Sequence, residues 1–357
     1  MHLSKIGLTQ HFFLANFYRW VVSTNNVVGI TMVDPCGIGP EIILKALKSS
    51  YNKTLNQFVI IGSYYALATV NQKLSINMPI KKISDFDEFD TNEDEKIQIL
   101  DPENIDTKFI NPGILSKEAG KACMEWVEIA AHLCLANKIQ GMATAPVNKE
   151  AAALAGYVQI GHMELLQSIT ESPEVATMLI SKNLRVVHLT THKPVQIACD
   201  FVTKENIYNM IKLTNTNFIN WGFANPRIGV AALNPHGSDG GLLGKEENEE
   251  ISPAIKQAKE DNINVEGPIP ADIIFNQAID DKFDAVICMY HDQGHIPVKV
   301  YGFEESITVN LGLPLIRTSV DHGTAFDIAW QGIADNTSMV EAIKLAQNLI
   351  TGSSLGN

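Results

Sequence analysis

The sequence contains few cysteines and few basic residues, and each scarcity excludes a class of protein. Only 5 of the 357 residues are cysteines, and none form a CxxC pair. Neither a disulfide framework nor a cysteine zinc site is therefore expected, and a reducing cytoplasm fits best. Lysine and arginine total 27 against 40 aspartates and glutamates, which gives a net charge of −13. Because nucleic-acid phosphates require a positive surface, we expect no nucleic-acid partner.

A long uninterrupted apolar run is also missing. The apolar N-terminal stretch HFFLANFYRWVV is broken by Asn16 and Arg19, whereas a membrane-spanning helix needs about 20 apolar residues. The same stretch has neither a clear basic start nor a small-residue cleavage site, so a signal peptide is not favoured. We interpret residues 1–26 as an extension that precedes the fold, and we expect no membrane association.

From Val27 onward, short apolar runs alternate with amphipathic segments. VVGITM is followed by GPEIILKALKSS, and RIGVAALNPH is followed by KEENEEISPAIKQAKED. This alternation is typical of βαβ units, which build a largely parallel sheet covered on both faces. The sequence therefore predicts an α/β fold, and its length allows two lobes with a cleft between them.

Histidines follow three of the predicted strands, at the strand ends where open α/β sheets bind ligands. They are His192 after VVHLTT, His236 after GVAALNP and His291 after FDAVICMY. Separate crossovers reach these strands, so three imidazoles could meet at one point and bind a divalent metal ion. Their spacings of 44 and 55 residues match no local zinc motif, so three unrelated strand-end histidines are the alternative.

Glycines, and cations in apolar sequence contexts, suggest an anionic ligand. The segment GIGPE lacks the third glycine of an ordinary dinucleotide-binding fingerprint, whereas NPHGSDGGLLGKEE precedes a helix and forms either an anion site or a flexible turn. Lys299 and Arg317 lie in apolar contexts of an acidic chain. Either they form ordinary ion pairs or they bind a carboxylate or phosphate. Together with Asp292 and the three histidines, they predict a pocket for an anionic metabolite whose hydroxyl group binds a metal ion.

Several motifs resemble the 4-hydroxythreonine-4-phosphate dehydrogenase family of pyridoxal phosphate biosynthesis, from residue 27 to about 350. They are DPCGIGPEI, TAPVNKEA, GHMELL, TTHKPV, LNPHGSDGGLLGKEE, GPIPADIIF, AVICMYHDQGHIPVK and LGLPLIRTSVDHGTAFDIA. The resemblance implies a homodimer of two-lobed α/β subunits, similar in architecture to isocitrate and isopropylmalate dehydrogenases, with the active site near the subunit interface. We expect residues 27–150 and 305–357 to form the first lobe, and residues 151–304 to form the second lobe with most metal ligands.

The resemblance also implies roles for individual residues. The three metal ligands would be the strand-end histidines His192, His236 and His291. The other implied residues are substrate-binding His162, Met163, Lys299, Thr308 and Arg317, the acids Asp272 and Asp292 near the reacting centre, and His322, Gly323 and Thr324 at the adenosine end of NAD.

A few positions depart from the family pattern. Met163 stands where threonine is usual, which removes a hydroxyl group expected to contact the substrate. The family pattern has asparagine at position 308 and threonine at position 310, whereas this sequence has Thr308 and Asn310. The amide is therefore displaced by two residues, which keeps it on the same face of a strand. Val33 and Cys36 replace glycine and alanine, and Val33 adds bulk beside a turn. We expect these changes to affect substrate identity rather than the fold.

The implied reaction is an oxidation of 4-phosphohydroxy-L-threonine that depends on NAD and a divalent metal ion. Decarboxylation then gives 3-amino-2-oxopropyl phosphate on the route to pyridoxal 5'-phosphate, which is vitamin B6. NADP is an alternative cofactor, and zinc, cobalt, nickel, manganese or magnesium would suit the site. One alternative function is a related dehydrogenase for threonate or erythronate phosphate, or for a dihydrodiol carboxylate. Another is a binding protein that has lost the chemistry.

Overall fold

The computed structural model describes residues 26–51, 54–159 and 161–352, so the predicted N-terminal extension lies almost entirely outside the described residues. Within these ranges, twelve strands form one sheet. The strands are β1 (Val28–Thr31), β2 (Phe58–Ile61), β3 (Ile80–Ile83), β4 (Ile97–Leu100), β5 (Gly141–Thr144), β6 (Ala176–Ser181), β7 (Leu184–His188), β8 (Ile228–Ala231), β9 (Val265–Ile269), β10 (Ala285–Cys288), β11 (Ile307–Leu311) and β12 (Ile316–Val320).

Helices connect most of these strands, as the alternating pattern predicted. They are α1 (Gly39–Ser50), α2 (Tyr64–Lys73), α3 (Lys117–Leu135), α4 (Lys149–Leu154), α5 (His162–Thr170), α6 (Val195–Asp200), α7 (Lys204–Asn220), α8 (Ser252–Glu260), α9 (Ala271–Ile279), α10 (His291–Tyr301) and α11 (Thr337–Ile350). None of the described helices is long and apolar enough to cross a bilayer.

The order of the strands is β3-β4-β2-β1-β5-β12-β11-β6-β7-β10-β8-β9. In this spatial order, the strands of the group β3-β4-β2-β1-β5-β12 pair in parallel with their neighbours. The strands of the group β7-β10-β8-β9 do the same. Between these groups, β11 pairs antiparallel with both β12 and β6, and β6 pairs antiparallel with β7. The prediction of a largely parallel α/β sheet is confirmed. The two parallel groups run in opposite senses, which no sequence pattern indicated.

Hydrophobic side chains form one large cluster around β1, β2 and β5, and two further clusters around the strands from β6 to β10. The first cluster includes the fully buried Trp126 and the second includes the fully buried Phe218. The exact lobe boundaries stay a prediction.

Val33 follows β1 and is fully buried. Its φ of 58° lies in the left-handed region, which a β-branched residue rarely adopts and glycine adopts freely. The glycine usual at this position therefore suits the backbone conformation, and the valine introduces backbone strain as well as side-chain bulk.

Candidate active site

Arg317 is the centre of a polar cluster on one face of the sheet. The register of the antiparallel pair β11 and β12 joins Val309 to Thr318, so Asn310 lies directly opposite Arg317. On the other side of β11, Asn310 pairs with Thr177 of β6. Directly opposed residues point to the same face, so these three side chains form a row across adjacent strands.

The Arg317 guanidinium is buried, and its hydrogen-bond partners among the described residues are neutral. The Glu164 carboxylate interacts with it electrostatically. It donates from Nε and Nη2 to Thr144 Oγ1 at 3.1 and 2.7 Å, and from Nη1 to Asn310 Oδ1 at 2.9 Å. Nη2 also lies 2.7 Å from His162 Nδ1. Within the described residues, no carboxylate forms an ion pair with this side chain. Burial lowers the pKa of Arg317 to about 9, which still leaves it cationic at neutral pH.

The hydrogen bonds from Arg317 determine which atoms of its neighbours are donors and which are acceptors. Because arginine can only donate, His162 Nδ1 is an acceptor and the ring proton lies on Nε2. Burial and the nearby Arg317 charge lower the pKa of His162, so the ring is neutral. Asn310 Oδ1 is likewise the acceptor, so its Nδ2 is the donor. His162 Nε2 and Asn310 Nδ2 are both buried and have no hydrogen-bond partner among the residues that the structure describes. The cluster therefore presents unsatisfied donors beside a buried cation, which suits an anion.

Met163 lies next to this cluster at the start of α5. Its Sδ accepts a hydrogen bond from Thr177 Oγ1 at 3.2 Å, so the thioether occupies a position beside the Thr177–Asn310–Arg317 row. Thr308 lies on the same face of β11 as Asn310, and it pairs with Ser319 of β12. It is only partly buried.

Lys299 lies in the last turn of α10 and is already neutralised. Its Nζ forms an ion pair with Asp321 Oδ2 at 2.5 Å and donates to Asp321 O at 2.9 Å. Ser306 Oγ donates to the same carboxylate. For Lys299 to bind a substrate anion, that anion must share the ammonium group with Asp321.

Two of the three predicted metal ligands lie close together. The ring centroids of His192 and His291 are 6.1 Å apart, because β7 and β10 are adjacent and parallel. Both rings line a cavity of about 300 Å³ together with Asp292 and Tyr290. Partial burial lowers the pKa of His192, which favours the neutral, metal-binding form.

The surroundings of His291 suit a metal ligand. Its Nδ1 lies 2.7 Å from Asp292 Oδ1, and a carboxylate on one ring nitrogen leaves the other nitrogen free to bind a metal ion. On the opposite side, the His295 ring stacks on His291 with centroids 3.6 Å apart. His295 Nδ1 in turn lies 3.0 Å from Nε2 of the buried His188. Sequence reasoning missed this support, although His291 and His295 are spaced by one helical turn.

His236 is not part of this pair. It is exposed and begins a turn in which residues 236–240 all have positive φ, from 44° to 73°. This turn lies near Pro270, which precedes α9 and the exposed Asp272. Within the described residues, no three side chains of histidine, cysteine, aspartate or glutamate are placed to hold a metal ion. Of the three predicted ligands, His192 and His291 therefore lie together in the described chain and His236 lies elsewhere.

The segment predicted to bind NAD packs against the loop after β1. Ile38 N donates to Thr324 O at 3.0 Å, and a Cβ at Gly37 would lie 2.8 Å from that same oxygen. His322 and Gly323 are exposed beside this contact, and a Cβ at Gly323 would meet no atom within 4 Å. The segment of His322 to Thr324 therefore lies at the carboxyl end of β12, with its first two residues exposed.

Comparisons with known proteins give a consistent result. A family model described as pyridoxal phosphate biosynthetic protein PdxA matches residues 54–346. The 4-hydroxythreonine-4-phosphate dehydrogenase of Desulforapulum autotrophicum is 41% identical over 335 residues, or 92% of this chain and 97% of that protein. The D-threonate 4-phosphate dehydrogenase of Salmonella typhimurium is 40% identical over 325 residues, or 90% of this chain and 98% of that protein. The crystal structure of 4-hydroxythreonine-4-phosphate dehydrogenase from Klebsiella pneumoniae matches with a TM-score of 0.83 and 35% identity, covering 92% of this chain and 99% of that chain.

Proposed function

The chain belongs to the PdxA family and is a dehydrogenase, and on this premise we propose that it oxidises 4-phosphohydroxy-L-threonine. The reaction uses NAD, with NADP as the alternative, and one divalent metal ion. It includes a decarboxylation that gives 3-amino-2-oxopropyl phosphate for pyridoxal 5'-phosphate biosynthesis. We place it in the cytoplasm, because all five cysteines are free thiols.

The buried Arg317, which forms no ion pair with a carboxylate of the described residues, is the observation that carries this proposal. A buried charge is costly unless it is paired, and here three neutral groups orient the guanidinium without neutralising it. A carboxylate or phosphate of the substrate would supply the missing charge and accept hydrogen bonds from the unsatisfied donors. The reaction needs a substrate that carries both of these groups.

A second candidate substrate is D-threonate 4-phosphate. Relatives with this activity in their names are about as similar to the chain as those named for 4-hydroxythreonine-4-phosphate. Met163 favours the second candidate, because its thioether accepts a hydrogen bond from Thr177 where a threonine hydroxyl group is usual. The two substrates differ at C2, so a change in the residues that line the pocket can alter the preference between them.

The residues present fit the two proposed cofactors. His192 and His291 would hold the metal ion, with Asp292 orienting the His291 ring. The segment of His322 to Thr324 would bind the adenosine end of NAD beside the loop after β1. When bound, NAD would accept a hydride and the metal ion would polarise the oxygen atoms of the substrate.

Residues of the chain itself position the substrate and move its proton. Arg317 and His162 would hold an anionic group and so fix the orientation of the bound molecule. Asp292 is exposed in the cavity of the histidine pair, and its carboxylate would accept the proton of the substrate hydroxyl group. Asp272, which is also exposed, is the alternative base.

A homodimer would complete the metal site. We propose that His236 of a second copy joins His192 and His291 of the first, because the described residues of one copy do not bring three ligands together. The outer face of α10 and the residues after it offer an apolar surface for such contact. Ile296, Val300 and Phe303 are 58, 83 and 65% exposed there, and exposed apolar patches of this kind mark interfaces.

The proposed reaction is tested by following NADH formation with the purified protein and added metal ion. 4-Phosphohydroxy-L-threonine, 4-phospho-D-threonate and 4-phospho-D-erythronate would be compared, each with a chelator control. Metal-dependent turnover of the first substrate with the highest kcat/KM is the expected result. Turnover of only the second or third would reassign the substrate, and no turnover of any would refute the proposed reaction.

The shared metal site has a separate test in subunit mixing. His236→Ala and His291→Ala should each be inactive as homodimers. After denaturation and renaturation together, half of the dimers would be hybrids with one intact site, which restores about a quarter of wild-type activity. If all ligands belonged to one copy, mixing would restore none.

A further inference from the structure

Asn310 carries an unsatisfied donor beside Arg317, two residues from the place where the family pattern has its amide. We propose that Asn310 is a specificity-determining residue, whose Nδ2 donates a hydrogen bond to the substrate anion held by Arg317. This inference rests on the proposed function and extends it to a residue outside the implied substrate-binding set.

The position of Asn310 on β11 favours it over Thr308. The register, continued by one residue, places Asn310 opposite Arg317, to which it is hydrogen-bonded, whereas Thr308 lies opposite Ser319. Two residues along a strand correspond to about 7 Å. An amide at position 308 would therefore meet a different part of a bound substrate than the amide at position 310. Asn310 is also the more deeply buried, at 3% exposure.

The orientation of the Asn310 amide is fixed by its partner. Oδ1 must face Arg317, because it accepts the hydrogen bond from Nη1 at 2.9 Å. Nδ2 is then directed away from that contact, and it is buried without a hydrogen-bond partner. A buried donor without an acceptor is unfavourable, and a carboxylate or phosphate oxygen bound to the adjacent guanidinium would satisfy it. His162 Nε2, on the ring that contacts Arg317 Nη2, is likewise a buried donor that such an anion could satisfy.

A purely structural role for Asn310 makes a different prediction from a binding role. Asn310→Asp keeps the shape of the side chain and the acceptor for Arg317, so it preserves any structural function. It also replaces the Nδ2 donor with a negative charge that neutralises the guanidinium. A residue remote from the bound anion would tolerate this change. A residue beside the anion would not, and the double variant described below separates the lost donor from the added charge.

The first experiment compares Asn310→Asp with wild type in KM, kcat and thermal midpoint. We expect KM to rise by about 10- to 100-fold, because this factor corresponds to the loss of one charge-assisted hydrogen bond. The thermal midpoint should be unchanged or higher. Asn71→Asp is the matched control, because Asn71 is an amide bonded only to the backbone of Met78. Its KM should stay at the wild-type value. An unchanged KM in Asn310→Asp would overturn the inference.

The second experiment moves the amide. The double variant Thr308→Asn with Asn310→Thr should change the ratio of kcat/KM for 4-phosphohydroxy-L-threonine and 4-phospho-D-threonate by about tenfold or more. A ratio within twofold of wild type would show that the amide position does not determine specificity.

Direct binding separates a failure of this inference from a failure of the proposed function. Calorimetric titration with inorganic phosphate and with acetate needs no turnover, and the better ligand identifies which anionic group of the substrate Arg317 holds. Binding by wild type and its loss in Asn310→Asp would support the inference even in a protein inactive on every tested substrate. Binding of neither anion by wild type, or equal binding by the variant, would overturn it.

Discussion

Replacing Arg317 with methionine should abolish anion binding, while opposing effects on the stability of the fold partly cancel. The guanidinium is buried, and its pKa of about 9 against a usual 12.5 corresponds to a cost of about 5 kcal/mol for keeping the charge in the folded protein. Methionine has a similar length and no charge, so the substitution removes this cost.

The same substitution also removes useful hydrogen bonds. Thr144 Oγ1, Asn310 Oδ1 and His162 Nδ1 each lose a donor, and a buried acceptor without a partner costs about 1–3 kcal/mol. The three unpaired acceptors together lower the free energy of unfolding by about 3–9 kcal/mol. Removal of the buried charge raises it by about 5 kcal/mol. The expected net change in the free energy of unfolding is therefore within about 4 kcal/mol of zero.

Urea denaturation and calorimetric titration measure the two quantities separately. In wild type, phosphate or substrate at 100 times its Kd should stabilise the fold by about 2.7 kcal/mol, and Arg317→Met should lose this effect. The control is Arg185→Met, which removes another buried arginine, on β7, that donates to Asp284 O. Retained anion binding in Arg317→Met, or a loss of stability beyond about 6 kcal/mol, would refute the reasoning.

Three further predictions concern other buried or clustered groups. Burial raises the pKa of Asp34 to about 6, so its ionisation destabilises the folded state as pH rises from about 4 through 6. Asp34→Asn should increase the free energy of unfolding by up to about 3 kcal/mol at pH 7.5 and have no effect at pH 3.5, as measured in urea. Glu41→Gln should destabilise the protein by about 2 kcal/mol in the same assay without changing KM, because the buried carboxylate accepts hydrogen bonds from Lys45 Nζ and from the backbone of Ala334. His291→Ala should weaken metal binding by about 10- to 100-fold or more in a chelator competition, with an unchanged circular dichroism spectrum.

Local patterns in the sequence were sufficient to predict much of the fold. The alternation of apolar runs and amphipathic segments reflects the periods of strands and helices, so β1, α1, β8 and α8 could be placed from the sequence. The proximity of His192 and His291 was also predictable, because adjacent parallel strands bring their carboxyl ends together. The reversal of strand direction at β11 and β6 was not predictable, since it depends on which strands pair.

The sequence by itself determined the α/β class, the strand-end histidines and the residues that identify the family, since these depend on residue type and local spacing. Only the tertiary structure decided that His236 stands apart from the other two histidines, and that Lys299 is paired with Asp321. It also decided that, within the described part of the chain, Arg317 forms no ion pair with a carboxylate while Asn310 and His162 hold unsatisfied donors. The physical reason is that pairing between side chains depends on the register of strands distant in sequence, and no local pattern encodes which charges remain unneutralised.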